Sequence, residues 1–186
     1  MKWLASIFVL ILGFSALAYR VEDEAIALYE VNSHIRWFMQ NRNPRLQQRA
    51  LTFAPSVVHW SKKYSIDPLL TSLIITRESS YLPDQTGSIG EIGLMQVHSP
   101  RCKKGFDLTK EDDQIHAGVK CLRYCFDECN GRLDLAMTKY ATGGCYKRYR
   151  NLKHWLKQYR KIIQLHRKPI PEALIEEIDI AISRAE

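Results

Sequence analysis

The hydrophobic and polar positions of the chain recur mainly at the three- and four-residue spacing of α-helices. Residues 22–40 show this period, with acidic side chains in the first turn where they suit the helix dipole. Asn41 to Pro44 predicts the end of that helix. The same period continues over residues 45–64, where Pro55 either kinks the helix or opens a new one at its first turn.

The clearest helix start is Asp67-Pro68, an N-cap residue followed by proline at the first helical position. A buried stripe follows at Leu69, Leu70, Leu73 and Ile74. This helix is predicted to end near Ser80.

The pattern changes between residues 81 and 106, where helix breakers recur and the chain predicts loops or short strands. The breakers are Pro83, Gly87, Gly90, Gly93 and Pro100. We expect this insertion to line a cleft.

Helical patterning resumes after residue 106. Thr109 with Asp112 resembles a capping arrangement at the start of one helix. The helices predicted in this part cover residues 109–128, 133–141 and 146–162, and a last one opens at Pro171. The fold class is therefore mostly α, of the α+β kind: a helical domain with one short irregular or β insertion lining a cleft, flanked by N- and C-terminal helices.

The composition is that of an ordinary globular chain, with 46% hydrophobic and 25% charged residues among 186. A chain of this length buries a core without needing metal or disulfides. Its 27 Lys and Arg against 20 Asp and Glu favour an anionic partner. Nucleic acid, a membrane surface and an acidic polymer such as cell wall all remain open, because charge alone does not distinguish them.

The N-terminus predicts export. Met1-Lys2 is followed by an apolar run over residues 3–14 and by an A-x-A-like step at residues 16–18, which is the pattern of a secretory signal. The alternative is an uncleaved inner-membrane anchor, because the uncharged stretch over residues 3–19 approaches the length of a spanning helix. We therefore expect the protein in the periplasm or cell envelope, with any membrane contact made through this segment.

Five cysteines follow the signal, and an oxidising compartment allows them to pair. Three of them repeat every fourth residue on one predicted helix, where neighbours are poorly oriented to bridge each other. The five are Cys102, Cys121, Cys125, Cys129 and Cys145. We predict two disulfides that join the helix to Cys102 and Cys145, with one thiol left over. The alternatives are a metal site that adds His116 and a catalytic cysteine, which nothing marks as activated.

A candidate acid stands at the end of the helix that starts at Asp67. Glu78 appears there abruptly, behind an apolar run and before the loop region. Gly93-Leu94-Met95-Gln96 follows, and the glycine series before it is not a phosphate-binding loop. A carboxylic acid that donates a proton near neutral pH needs apolar surroundings that keep it protonated, and Glu78 is placed for this. The alternative is a solvated helix-end carboxylate.

These pieces together resemble the soluble lytic transglycosylase family of the lysozyme-like superfamily. The matching motifs are Ile66-Asp67-Pro68-Leu69-Leu70, Glu78-Ser79, Gly90-x-x-Gly93-Leu94-Met95-Gln96, Gln114-Ile115-x-x-Gly118-x-x-x-Leu122 and Tyr140-x-x-Gly143. They cover roughly residues 55–150. The chain departs from the family pattern in two places: Gly87, with Ser88 beside it, replaces the usual serine, and Ala141-Thr142-Gly143 replaces the usual Asn-Ala-Gly.

The resemblance implies a reaction and a substrate. The family cleaves the β-1,4 bond between N-acetylmuramic acid and N-acetylglucosamine in peptidoglycan without water and closes a 1,6-anhydro ring. One glutamate, here Glu78, serves as both acid and base, and neither cofactor nor metal is needed. Hydrolytic glycosidases usually need a second carboxylate. The candidates for one are Asp84, Glu91 and Asp107, for each of which a surface role is the alternative.

The resemblance also suggests substrate contacts, each with a structural alternative. Met95 would touch sugars, or simply fill the core, and Gln96 would bond acetamido groups, or stabilise a turn. Tyr140 would bond near Glu78 or the glycan, or only pack. The remaining candidates are Ser79, which at a helix end often bonds to backbone, and Ser88.

The segment 147–168 carries nine basic residues and no acidic ones, interleaved with aromatic residues. DNA binding is not expected of an exported protein. The interpretations that remain are a helix with one buried and one solvated face, and attraction to anionic wall polymer or lipid.

The predicted organisation is a signal or anchor (1–18), an N-terminal helical segment (19–54), the transglycosylase domain (55–150) and C-terminal helices packed on it (151–186). The expected partners are peptidoglycan glycan strands and an envelope assembly complex. Two rival functions remain: a hydrolytic muramidase on the same fold, and a non-catalytic wall-binding or envelope-assembly protein.

Overall fold

The computed structural model of the chain describes residues 23–146 and 148–185, most of which are helical. The helices are α1 (residues 23–39), α2 (Pro44–Thr52), α3 (Ala54–Lys63), α4 (Pro68–Glu78), α5 (Pro100–Lys103), α6 (Glu111–Glu128), α7 (Leu133–Thr142), α8 (Leu152–His166) and α9 (Glu172–Arg184). Between α4 and α5, β-pairing in the described residues is limited to two bridges, from Ile92 to Thr86 and to Val97. The mostly α fold with one irregular insertion is confirmed.

The predicted signal or anchor, residues 1–18, lies outside the described residues. Among the helices of residues 23–146 and 148–185, none is long and apolar enough to cross a membrane. The domain boundaries given above stay predictions.

Pro55 marks a helix start and not a kink. Helix α2 ends at Thr52, Phe53 separates it from α3, and Pro55 occupies the first turn of α3. A proline there removes no intrahelical hydrogen bond, because the first N–H groups of a helix have no partner within it.

Helix α4 is the central helix of the fold. The Asp67 carboxylate accepts a hydrogen bond from the Leu69 amide at 2.9 Å, and Pro68 follows it, as predicted. Eight of the eleven residues of α4 are buried, and the helix packs against α3 and α8. Its buried hydroxyls are satisfied: Ser61 donates to Thr71, and Ser72 bonds to His34 at 2.7 Å. Neighbouring helices therefore fix the position of α4 along most of its length.

The start of α6 differs from the prediction. Lys110 is the N-cap, and no side chain caps the helix. The proposed pairing of Thr109 with Asp112 is wrong, because the Thr109 hydroxyl instead donates to Asp107 at 2.7 Å. Asp107 is two residues from Thr109 along the chain, one fewer than Asp112. Its carboxylate bonds to Thr109 in a turn before the helix begins.

The helix predicted from Tyr146 begins only at Leu152, so the prediction is wrong for its first residues. Gly143 ends α7 in the left-handed conformation with φ of 79°. Cys145 is then bonded to Cys129 at the end of α6, which holds the chain in a turn. Tyr146 is consequently 82% exposed and not part of a buried stripe.

The cysteines pair as expected. Cys102 bonds to Cys121 and Cys129 bonds to Cys145, with Cα atoms 5.3 and 5.8 Å apart. Cys125 is the remaining thiol, and it is buried. The two bridges tie α6 to α5 on one side and to the segment after α7 on the other.

A buried ion cluster joins the two ends of the described chain to α4. The Arg167 guanidinium donates to both oxygens of Asp67 at 2.7 and 2.8 Å and to Glu30 of α1 at 2.8 Å. The Tyr159 hydroxyl also donates to Asp67. Although burial opposes the charge, the hydrogen bonds that Arg167 donates to Asp67 and Glu30 raise the pKa of Arg167. The N-cap of α4 therefore also anchors α1 and α8.

We predict that Arg167→Met lowers the free energy of unfolding by about 3–5 kcal/mol, because it leaves the largely buried carboxylates of Glu30 and Asp67 without their positive charge. Urea denaturation of the oxidised protein measures this. The control is Arg123→Met, which breaks an exposed pair with Asp127 four residues away and should cost about 0.5 kcal/mol. Equal losses in the two variants would show that the cluster is no stronger than a surface ion pair.

We also predict that the oxidised protein has one titratable thiol. Burial raises the pKa of Cys125 to about 12, so a thiol reagent should react slowly with the native chain. In denaturant without reductant, one thiol should react per chain. Five reactive thiols would contradict the pairing, and so would rapid labelling of Cys125 in the folded protein.

Candidate active site

The chain turns sharply just after α4 and leaves Glu78 at the end of a buried helix. Ser79 caps the helix, and Ser80 and Tyr81 both take left-handed conformations, with φ of 52° and 62°. The conformation is held because Tyr81 is buried, bonds to the Ser72 hydroxyl and stacks on Phe53. Such strained backbone persists only where the surroundings enforce it.

The Glu78 carboxyl is only partly exposed, and its protonation is shifted. Burial raises the pKa of Glu78 to about 7. The positive charge of Arg77 opposes this rise, and the negative charge of Glu91 adds to it. Near neutral pH the group is therefore divided between acid and carboxylate, as proton transfer in both directions requires.

The insertion beside Glu78 folds into tight turns held by its own backbone. The Gly87 amide donates to the Glu91 carbonyl at 2.9 Å, and Ile92 and Val97 exchange two hydrogen bonds. The Gly93 amide donates to Gln85, and its φ of 78° requires glycine.

Gln114 of α6 fastens this insertion to the helical core. Its side-chain oxygen accepts from the Leu94 amide at 2.9 Å, and its nitrogen donates to the carbonyls of Pro83 and Leu108. A Cβ atom at Gly93 would lie 2.3 Å from the Gln114 side chain. Gly93, the second glycine of the Gly90-x-x-Gly93 motif, therefore leaves space for the Gln114 side chain, which holds the insertion in place.

Met95 is a core residue, which corrects the expectation that its side chain touches sugars. It has no exposed surface, and a Cβ atom at Gly118 would lie 2.4 Å from its sulfur. Its carbonyl accepts a hydrogen bond from the Tyr140 hydroxyl at 2.7 Å. Tyr140 is partly buried, and burial together with the charge of Glu78 raises its pKa, so the hydroxyl stays neutral beside the acid.

The other predicted contacts divide into buried and exposed positions. Ser79 is buried and donates to the Leu94 carbonyl at 2.8 Å, so its side chain serves the fold and is not open to a glycan. Gln96 uses its amide nitrogen on the carbonyls of Gln85 and Gly93, both at 2.9 Å. Ser88 is exposed on the loop.

The three further carboxylates lie in different surroundings. The side chain of Asp84 is 92% exposed, and Asp107 is engaged by Thr109 and Lys110. Glu91 accepts the Ile89 amide at 2.9 Å, and backbone hydrogen bonds lower its pKa. Of the three, Glu91 is the one whose negative charge raises the pKa of Glu78.

Sequence reasoning missed Tyr149 as a neighbour of the acid. It is partly buried against Trp155, and burial and the charge of Glu78 raise its pKa to about 12. The sequence places Tyr149 in the helix predicted over residues 146–162, but Tyr149 precedes α8, which begins at Leu152. The Gly143 cap and the Cys129–Cys145 disulfide lie just before it, and spacing along the chain carries no signal for them.

The structure gives no support to a metal site on α6. Cys121 and Cys129 are in disulfides, and His116 stacks on Trp60 and bonds to Tyr64 at 2.8 Å. Within residues 23–146 and 148–185, no group of three or more His, Cys, Asp or Glu side chains could hold an ion.

The site thus holds a half-buried carboxyl of raised pKa, neutral tyrosines beside it and a loop fixed by a buried glutamine. A family model described as Transglycosylase SLT domain matches residues 56–162, which is more than half of the chain and includes Glu78, the insertion and α6 to α7. A comparison with curated proteins finds no match. The chain therefore belongs to the SLT-domain transglycosylases, a family of the lysozyme-like superfamily.

Proposed function

We propose that this protein is an exported peptidoglycan lytic transglycosylase that cleaves the β-1,4 bond between N-acetylmuramic acid and N-acetylglucosamine, with Glu78 as its acid and base. The observation that carries the proposal is the Glu78 carboxyl at the end of buried α4, with a pKa raised to about 7. Membership of the SLT-domain family supports the substrate class.

In the first step, protonated Glu78 gives its proton to the glycosidic oxygen. The bond from that oxygen to C1 of the muramyl sugar breaks, and positive charge develops at C1 and the ring oxygen. The N-acetylglucosamine part leaves as an alcohol. The newly formed Glu78 carboxylate then lies beside the cation and stabilises it.

In the second step, the Glu78 carboxylate takes the proton of the hydroxyl on C6 of the same sugar. The C6 oxygen attacks C1 and closes the 1,6-anhydro ring, which returns Glu78 to its protonated form. No water is consumed, so no second carboxylate is needed to activate one.

The neighbours of Glu78 would orient the sugar around the acid. We propose that the exposed Ser88 and the half-buried Gln96 and Tyr149 contact the glycan, whereas Tyr140 and Met95 support the site from below. The Tyr140 hydroxyl donates its hydrogen bond to the Met95 carbonyl, which ties α7 to the insertion.

Export is part of the proposal. The chain carries two disulfides, which form and persist in oxidising compartments such as the periplasm. Peptidoglycan, the proposed substrate, also lies in the periplasm. The predicted signal or anchor over residues 1–18 would deliver the protein there.

Digestion of purified peptidoglycan by the full-length chain tests the reaction. Mass analysis should find muropeptides with 1,6-anhydro ends, lighter by one water than hydrolysed ones. Reducing ends would instead establish the hydrolytic muramidase, for which Glu91, whose charge acts on Glu78, is the candidate second carboxylate.

We predict that Glu78→Gln lowers muropeptide release by more than the 10²–10⁴-fold typical of one acid–base role, because one group performs both transfers. The amide is similar in size, so unfolding stability and pelleting with insoluble wall should be retained. The control is Asp84→Asn, which removes an exposed carboxylate and should keep near wild-type activity.

Glu91→Gln separates the two mechanisms. It should retain anhydro product, because Glu91 acts on Glu78 only through its charge in the proposed reaction. Near wild-type release by Glu78→Gln would refute the mechanism, whereas loss of activity in a folded Glu91→Gln variant would favour hydrolysis.

A further inference from the structure

A second cavity lies on the other side of α4 from the site described above. It has a volume of about 580 Å³ and is formed by α1, α4 and α8. Leu73, Thr76, Arg77 and Ser80 of α4 line it, whereas the Glu78 site faces α7 and the insertion. Its volume lies within the range of roughly 300–1,000 Å³ that is typical of small-molecule sites.

The rim of this cavity is strongly basic. Arg42, Arg77, Lys157 and Lys161 are exposed side chains that line it, and none of its lining residues is acidic. Among the described residues, none of these four cations forms an ion pair; Arg42 lies over the Phe38 ring and Lys161 over the Trp37 ring. The cavity therefore favours an anionic ligand.

The basic residues of segment 147–168 have different roles. Arg167 is held in the buried ion cluster and Arg160 pairs with Asp179 of α9. Lys157 and Lys161, one helical turn apart, are left facing the cavity. These two lysines take part neither in the ion cluster of Arg167 nor in the proposed reaction at Glu78.

A buried histidine forms part of the cavity wall. His34 lines the cavity and has no exposed surface. Its Nδ1 bonds to the hydroxyl of Ser72 in α4 at 2.7 Å, and its Nε2 is buried without a hydrogen-bond partner in the described residues. The ring therefore ties the cavity wall to α4, and the charge that a ligand would meet comes from the basic rim.

Part of the cavity lining is apolar. Trp37, which is 38% exposed, lies there with Phe38, Leu73 and Ile162, beside polar side chains such as Thr76 and Gln158. Phosphate or sulfate alone would use only the rim. A ligand that fits both parts carries carboxylates together with methyl or methylene groups, as a short acidic peptide does.

The cavity and the Glu78 site share a wall. The Arg77 guanidinium lies 5.5 Å from the centre of the Trp155 ring, and Trp155 packs edge-on against Tyr149, which feels the Glu78 charge. Arg77 and Ser80, which line the cavity, also flank Glu78 within two residues along the chain, so the cavity lies close to the acid.

We propose that this cavity binds the carboxylate-bearing peptide stem of the peptidoglycan substrate. The proposal rests on the proposed function for the identity of the ligand, because the muramyl sugar that reacts at Glu78 is the one that carries the peptide. Lys157, Lys161 and Arg42 bind its carboxylates, and Trp37 covers its aliphatic part.

Binding is tested without any turnover. The probe is the dipeptide L-alanyl-D-glutamate, titrated into the full-length protein while the indole N–H signal of Trp37, assigned with Trp37→Phe, is followed by NMR. The signal should shift and saturate, and the uncharged diamide of the dipeptide should not bind. Lys157→Gln/Lys161→Gln should weaken binding about tenfold or more, as the loss of charge-assisted hydrogen bonds requires.

A matched control removes the same charge elsewhere. Arg36→Gln/Arg45→Gln alters two exposed residues that do not line the cavity, and it should leave the dipeptide affinity unchanged. Equal weakening by both double variants, or equal binding of dipeptide and diamide, would overturn the proposal. Binding of an L-glutamate octamer at Trp37 without binding of the dipeptide would also overturn it and would indicate an acidic protein partner.

Activity separates this proposal from the reaction itself. On peptide-bearing wall, Lys157→Gln/Lys161→Gln should raise KM about tenfold, the same ratio as its loss of affinity. On glycan strands stripped of peptide it should behave as wild type, and equal losses on both substrates would overturn the role in peptide binding. If the wild type releases no anhydro product from either substrate, the proposed function fails, and the dipeptide titration still decides whether the cavity binds carboxylates.

Discussion

Helix α4 is buried from Leu69 to Thr76, and this burial fixes where its two ends lie. At the first end, Asp67 caps the helix and also accepts hydrogen bonds from Arg167. Arg167 in turn donates to Glu30 of α1. At the other end, the chain turns back through residues 80 and 81 and is fastened to Ser72 within the helix. A carboxyl placed after the last buried turn therefore has little freedom to move towards solvent. The geometry of the site follows from the packing of one helix.

The burial of this end of α4 also determines the pKa of Glu78. Removing a carboxyl from water disfavours its charged form, and at Glu78 this effect outweighs the attraction of neighbouring Arg77, whose exposed guanidinium is screened by solvent and lies over Trp155. The result is an acid that is still protonated where an ordinary glutamate is ionised. Neutral tyrosines beside it add no charge that would undo the shift. One residue can then give a proton and take one back within a single reaction cycle.

Local rules were enough for much of the fold, and they failed where distant contacts decide. Asp67-Pro68 specified a helix start because capping involves neighbouring residues, and the spacing of Cys121 and Cys129 showed that they must pair elsewhere. The late start of α8 and the position of Tyr149 depend on a disulfide and on a glycine cap, which periodicity does not register. Met95 was expected to touch sugars, with a core position as the alternative, because a motif does not show whether a residue acts through its surface or through packing. Its burial beneath Gly118 shows that it supports the loop from inside.

The pKa of Glu78 in the free protein tests this account most directly. Carboxyl carbon shifts can be followed by NMR as a function of pH in the ¹³C-glutamate-labelled chain, with the signal assigned by its absence from Glu78→Gln. The account predicts a midpoint near 7 for this group, well above that of an ordinary glutamate, because it is buried at the end of α4. A midpoint near 4.5 would show that Glu78 is solvated and charged at neutral pH, and it would contradict its role as the proton donor.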